Sequence, residues 1–115
     1  MSANKALPPE KHPAPKDAWQ LFLSHYPDLA NAVSGGIDDL FSRVRLDEKT
    51  KQLVYIAAQT AVCYPLAVKY HVPEALKAGA SPDEILGAMA VAAAAAGPKG
   101  LVLCHEAIAE DLANA

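Results

Sequence analysis

Residues Thr50 to Met89 carry three helical segments separated by two sharp breaks. The first break runs from Cys63 to Pro65, since a proline is best tolerated in the first turn of a helix. At the second break, Gly79 suits a helix end, and Ser81 with Glu84 forms a capping box that starts the next helix. Short helices at this spacing become stable mainly by packing against one another.

Apolar residues at helical spacing predict further helices, and we expect five or six in all. They cover residues 17–26, 29–44, 46–62, 65–78, 82–95 and 101–112. Gly35 and Gly36 interrupt the second, so a kink or two shorter helices is an alternative there. The third is apolar on nearly every side, which predicts a central, buried position. Since no segment alternates with period two, the fold class is all-α.

Residues 1–15 hold four of the nine prolines, so we expect a flexible arm there. The alternative is an arm that docks on a neighbouring subunit. Residues 16–115 are expected to form a single helical domain, because a chain of 115 residues normally builds one core. Apolar residues make up 52% of the chain but include many alanines, which favours close helix packing and burial in a homo-oligomer.

The net charge is −3 and basic residues do not cluster, which argues against a nucleic-acid partner. The longest apolar run, residues 85–98, is too short to span a membrane. The N-terminal residues lack the apolar segment of a signal peptide, so we expect a cytoplasmic protein. Cys63 and Cys104 have neither CxxC nor metal-ligand spacing, which predicts two reduced thiols, no metal and no cofactor.

Three pieces of the chain resemble the carboxymuconolactone decarboxylase family, which includes the alkylhydroperoxidase D-like proteins. They are Leu46-Asp-Glu-Lys-Thr-Lys-Gln-Leu53, the junction at Cys63, and His71 followed by Glu74-Ala-Leu-Lys-Ala-Gly-Ala-Ser-Pro-Asp-Glu-Ile-Leu86. The resemblance covers about residues 40–112. It implies an alkylhydroperoxidase D-like helical bundle that assembles as a homo-oligomer, either a dimer, a trimer or a hexamer.

The resemblance also implies where a redox centre would lie. In the redox members a CxxC pair opens a helix, a histidine follows the second cysteine by four positions, and a glutamate on the preceding helix completes a proton relay. Aligned on His71, this chain has Ala67 at the second cysteine, Tyr64 at the first and Gln52 at the glutamate, with Cys63 one place earlier. Aligned on Cys63 instead, the chain has Leu66 at the second cysteine and Tyr70 at the histidine, so the dithiol site is degenerate in either alignment.

Three functions follow as hypotheses. The first is a thiol-dependent peroxidase or oxidoreductase that uses Cys63, which a helix N-terminus can activate, together with His71. The second is a non-catalytic helical oligomer or small-ligand-binding module. The third is a lactone-acid decarboxylase-like enzyme that uses His71 as its acid or base. The residues expected to line the site are Gln52, Tyr64, Tyr70 and Ala67.

Each candidate residue also has a purely structural interpretation. Cys63 fits a small buried apolar position, and His71 fits a single structural hydrogen bond. The two tyrosines fit core or interface packing, and Gln52 fits an exposed helix surface.

Two further segments have competing interpretations. Cys104, His105 and Glu106 suggest a nucleophile and its base, but neighbours on a helix point about 100° apart. We therefore expect Cys104 on the apolar face and His105 toward solvent, while a Cys63–Cys104 pair depends on their distance. The run Ala90 to Ala96 fits either tight internal packing or a subunit interface.

Overall fold

The computed structural model describes residues 17–115, and the arm expected at residues 1–15 lies outside this range. Within it the chain forms six helices and no strand, which confirms the all-α fold class. The helices are α1 (Ala18–His25), α2 (Pro27–Ser42), α3 (Glu48–Ala61), α4 (Pro65–Lys77), α5 (Pro82–Ala96) and α6 (Lys99–Ala113). They fall into two compact units divided after Val44. One helical domain over residues 16–115 stays a prediction.

The described part of the first unit is a pair of helices. α1 begins after Asp17, whose carboxylate accepts a 2.8 Å hydrogen bond from the Gln20 backbone N–H. α2 starts at Pro27 and continues through both central glycines, so the alternative of two shorter helices is not realised. Each glycine lowers helix stability by only about 1 kcal/mol relative to alanine, and the sixteen-residue helix forms despite this loss.

In the second unit, the starts of α3 and α5 are capped as expected. Asp47 accepts a 2.8 Å hydrogen bond from the Thr50 N–H at the start of α3. At the start of α5, Ser81 and Glu84 form the capping box through bonds of 3.0 and 3.1 Å. Lys49 and Glu84 form a 2.8 Å ion pair that joins the two helix starts. α3 and α5 pack against each other along their lengths.

The core of the second unit lies between α3, α4, α5 and α6. Its largest fully buried side chains include Ile56, Ile85, Met89 and Ile108. α3 packs against all three other helices, as its apolar sequence suggested. Burial on every side is nevertheless wrong, because Val54 is 54% exposed. Three neighbouring helices do not cover the whole circumference of α3.

The alanine-rich run on α5 is mostly on the surface. Ala92 is buried, but Val91 is 68% exposed and residues 94–96 are exposed. Tight internal packing of the whole run is therefore wrong. The last helix also begins two residues earlier than predicted, at Lys99 and not at residue 101. Among residues 17–115, the longest and most apolar helices fall short of what crossing a membrane requires.

Candidate functional site

His71 and Gln52 lie together at the α3–α4 interface. His71 is on the second turn of α4, and its Nδ1 is 2.9 Å from Oε1 of Gln52. Gln52 is only 6% exposed, so its interpretation as exposed helix surface is wrong. His71 is half-buried. Two of the residues aligned with the family's relay are thus in direct contact.

Glu48 fixes which way the Gln52 amide points. It lies one turn earlier on α3, and its Oε1 accepts a 3.2 Å hydrogen bond from Gln52 Nε2. A carboxylate can only accept, so the amide oxygen is the atom turned toward His71. His71 Nδ1 must then carry the proton it donates, and the lone pair of the neutral ring is at Nε2.

The charge on Glu48 supports this orientation. The hydrogen bond from Gln52, and then the one from Lys51, hold the pKa of Glu48 below its ordinary value. Lys51 Nζ lies 3.1 Å from Glu48 Oε2, and its side chain is only 14% exposed. Glu48 is therefore ionised at neutral pH and remains an acceptor for Gln52.

Tyr55 is a member of the site that sequence reasoning did not single out. Its ring lies against the His71 imidazole, with the ring centroids 3.9 Å apart and the planes 31° from parallel. The signal was present in the spacing, because Tyr55 follows Gln52 by three positions and shares its helix face. Tyr55 covers one face of the imidazole and restricts its rotation.

The remaining residues expected to line the site lie on α4 or directly before it. Ala67, at the position of the second cysteine, is buried one turn before His71. Tyr64 precedes the helix and is 45% exposed, and Tyr70 is 44% exposed. Packing of these two tyrosines in the core of the chain is therefore wrong. A role for them in lining a pocket stays a prediction.

Cys63 ends α3 in a conformation usually given to glycine. Its φ is +58°, and among the described residues other than glycine it alone has a positive φ. The Cys63 N–H donates to the Thr60 carbonyl and the Tyr64 N–H to the Gln59 carbonyl, each at 3.0 Å. These two bonds form a Schellman motif with Cys63 in the left-handed position. A residue with a Cβ pays about 1–2 kcal/mol for that conformation.

Cys63 is half-buried, so the interpretation as a fully buried apolar residue is wrong. It lies two positions before Pro65, the first residue of α4. From Pro65 to His71 the helix rises about 9 Å. Cys63 therefore lies before the start of α4, whereas His71 lies about two turns along it.

Cys104 is the fully buried cysteine, on the inner face of α6, while His105 is exposed as expected. Burial raises the pKa of the Cys104 thiol, its electrostatic interaction with Cys63 raises it further, and the interaction with the Thr60 side chain opposes the two. The sequence neighbours of Cys104 thus do not form a nucleophile–base pair with it. The other thiol that influences the pKa of Cys104 is that of Cys63.

Among residues 17–115, no three histidine, cysteine or acidic side chains are grouped so that they could hold a metal ion.

A sequence model described as the carboxymuconolactone decarboxylase family matches residues 27–106. No curated protein and no solved structure matches the chain.

Proposed function

Because the chain belongs to the carboxymuconolactone decarboxylase family, we propose that it transfers protons at His71 to or from a small lactone-type acid. The observation that carries this proposal is the 2.9 Å hydrogen bond between His71 Nδ1 and Gln52 Oε1. It leaves Nε2 as the basic position of the neutral ring. Ala67 presents no thiol one turn before His71, which favours acid–base chemistry over redox chemistry at this position.

The chemistry requires a group that can hold and release one proton near neutral pH. In a decarboxylation of a lactone acid, the bond to the carboxyl carbon breaks, carbon dioxide leaves, and the electron pair moves into the lactone as an enolate. His71 Nε2 takes the proton of the carboxyl group before that bond breaks, and it is the proposed donor of the same proton to the carbon afterwards. The bond to Gln52 and the ring of Tyr55 keep the imidazole in one orientation for that transfer.

A second candidate is the alkylhydroperoxidase D-like activity, a thiol-dependent reduction of hydroperoxides at Cys63. One observation favours it. Cys63 keeps a left-handed backbone where glycine would be unstrained, and such strain is concentrated at functional sites. The thiol is half-buried and lies two positions before Pro65, the first residue of α4.

We also propose that the chain forms a homo-oligomer. Four apolar residues at helical spacing on α2 are between 43% and 67% exposed, namely Leu29, Val33, Ile37 and Leu40. Val91 on the alanine-rich surface of α5 is 68% exposed. Both surfaces are of the kind that subunit interfaces bury. Light scattering after gel filtration measures the molar mass in solution and tests this proposal. The mass of a monomer at micromolar concentration would contradict it. A cytoplasmic location stays a prediction.

The function is tested by turnover of carboxymuconolactone, the compound in the family's name, and related lactone acids. We expect His71→Ala to lose activity by about 100-fold or more, as general acid–base residues do. His105→Ala, an exposed histidine on α6, and Cys63→Ser should retain it. Circular dichroism checks that each variant is folded.

Other outcomes separate the hypotheses. Consumption of hydroperoxide that needs Cys63 but not His71, with no lactone turnover, would replace the first candidate by the second. If neither variant changes any property except stability, the non-catalytic or ligand-binding module is the better description.

A further inference from the structure

The first turn of α6 lies directly against the last turn of α3. Gly100 is in that first turn, and a methyl group added to it would overlap the carbonyl oxygen of Thr60. The same methyl group would lie 3.6 Å from the Cα of Cys63. Only a residue without a side chain permits so close an approach. The backbone around Cys63 is therefore immediately beside α6.

Cys104 lies one turn after Gly100 on the same face of α6. Its side chain leans back toward the start of the helix, because Cα–Cβ bonds in a helix tilt toward the N-terminus. Thr60 Oγ1 donates its proton to the Ile56 carbonyl at 2.8 Å, and the same side chain interacts with the Cys104 thiol. The surroundings of both thiols thus meet at the last turn of α3.

We propose that Cys63 and Cys104 form a two-thiol redox site that closes reversibly into a disulfide between the α3–α4 junction and α6. The site does not depend on proton transfer at His71. In the peroxidase hypothesis, Cys104 would be the resolving thiol that Cys63 alone lacks. Only the reaction of the two-thiol site with hydroperoxides rests on that second candidate function.

The co-reactant is a two-electron oxidant, either a hydroperoxide or a small disulfide. Cys63 Sγ attacks the hydroperoxide, the O–O bond breaks, an alcohol leaves and Cys63 becomes a sulfenic acid. Cys104 Sγ then attacks the Cys63 sulfur, the S–S bond forms, and the hydroxyl group leaves with the thiol proton as water. With a small disulfide, the two cysteines expel its two thiols in turn. An external dithiol reduces the site and is itself oxidised to a disulfide.

The exposure of the two thiols dictates the order of these steps. Cys63 is half-buried and can meet an oxidant from solvent, whereas Cys104 is 0% exposed and cannot. Oxidation of Cys104 must therefore pass through Cys63. Replacing Cys63 should protect Cys104, whereas replacing Cys104 should leave Cys63 oxidisable.

The test treats the reduced full chain with tert-butyl hydroperoxide or, separately, with oxidised glutathione, and measures intact mass and linked peptides. We expect the wild-type monomer to lose the mass of two hydrogens, to give one peptide pair joined through Cys63 and Cys104, and to recover with dithiothreitol. In Cys104→Ala, Cys63 should stop at the sulfenic acid or at the glutathione adduct. In Cys63→Ser, Cys104 should stay reduced. The main result needs only the wild-type protein, so a misfolded variant does not decide it.

Three results would overturn the proposal. They are oxidation of Cys63 to the adduct or to higher acids without closure, a disulfide only between two chains, and no reaction with either oxidant. Oxidation of Cys63 by hydroperoxide without disulfide closure would still support the peroxidase activity of the second candidate function, but with no resolving thiol in the chain. Closure by oxidised glutathione alone would support the two-thiol site and remove the peroxidase activity.

Discussion

Gln52 holds the His71 imidazole by a 2.9 Å hydrogen bond from Nδ1, and Glu48 holds Gln52 in turn. The carboxylate sets the orientation of the amide, and the amide sets which ring nitrogen carries the proton. An uncharged amide at this position does not attract a second proton to the ring. A carboxylate at the same position would.

Replacing Gln52 by glutamate should therefore change the titration of His71. A carboxylate beside the ring favours the imidazolium, so we expect the pKa of His71 to rise by roughly one pH unit or more. At neutral pH less of the ring would be the free base, and any base-dependent rate would fall and recover at higher pH. The measurement is an NMR titration of the imidazole protons.

Gln59→Glu is the matched control for this change. It adds the same charge to α3 two turns after Gln52. The His71 titration in Gln59→Glu should stay close to that of the wild type. Equal effects of the two variants would mean that a general field, and not the hydrogen bond, controls the ring.

Cys63 and Gly79 occupy the same position in two Schellman motifs, one at the end of α3 and one at the end of α4. Gly79 has φ +97° and Cys63 has φ +58°. Because only glycine adopts this region without strain, Cys63→Gly should be about 1 kcal/mol more stable than Cys63→Ala. Gly79→Ala should lose a similar amount. Urea unfolding measures both, and equal stabilities of the two Cys63 variants would show that the position is unstrained.

Gly100 and Gly87 offer a second matched pair. A methyl group at Gly100 would overlap the Thr60 carbonyl oxygen, whereas a methyl group at Gly87 meets nothing within 4 Å. We expect Gly100→Ala to destabilise the protein by about 1–3 kcal/mol as α6 is pushed away from α3. Gly87→Ala should be neutral or stabilising by up to about 1 kcal/mol, because alanine is the better helix former. A Gly100→Ala variant as stable as the wild type would contradict the close approach of these helices.

Acid should weaken the capped helix starts. Hydrogen bonds from Lys49 and then from the Ser81 N–H lower the pKa of Glu84, and bonds from Thr50 lower that of Asp47. A carboxyl whose pKa is lower in the folded chain stabilises it above its unfolded pKa of about 4. That stabilisation is lost as the pH falls through the lower folded pKa.

The contribution of these carboxyl groups to the free energy of unfolding should therefore be level from pH 7 to about pH 5 and fall below about pH 4. Glu84→Gln should reduce the slope of that fall, because one of the shifted carboxyls is gone. Denaturant unfolding at several pH values measures it. An unchanged slope in Glu84→Gln would mean that the ion pair with Lys49 contributes nothing to folding.

Local signals predicted the helix ends well. The capping box of Ser81 and the left-handed Gly79 depend on a few adjacent residues, so the sequence displays them directly. The left-handed end of α3 was missed because cysteine stands where glycine is usual. The exposure of Val91 was missed because helical spacing does not reveal how many helices surround a given face.

The site was predictable only in part, for a related reason. His71 and Gln52 were identified through the family motif, whereas Tyr55 joins them through a ring contact between α3 and α4. The proximity of Cys63 to α6 depends on a missing side chain at Gly100, 37 positions away. Such contacts come from tertiary packing, which spacing along one helix does not reveal.

The most direct test is the protonation of the two His71 ring nitrogens, read by nitrogen-15 NMR of the imidazole at a pH where the ring is neutral. We expect a proton on Nδ1 and a lone pair on Nε2, with this preference lost in Gln52→Leu. A neutral ring protonated at Nε2, or one unaffected by Gln52→Leu, would contradict the relay from Glu48 through Gln52 to His71.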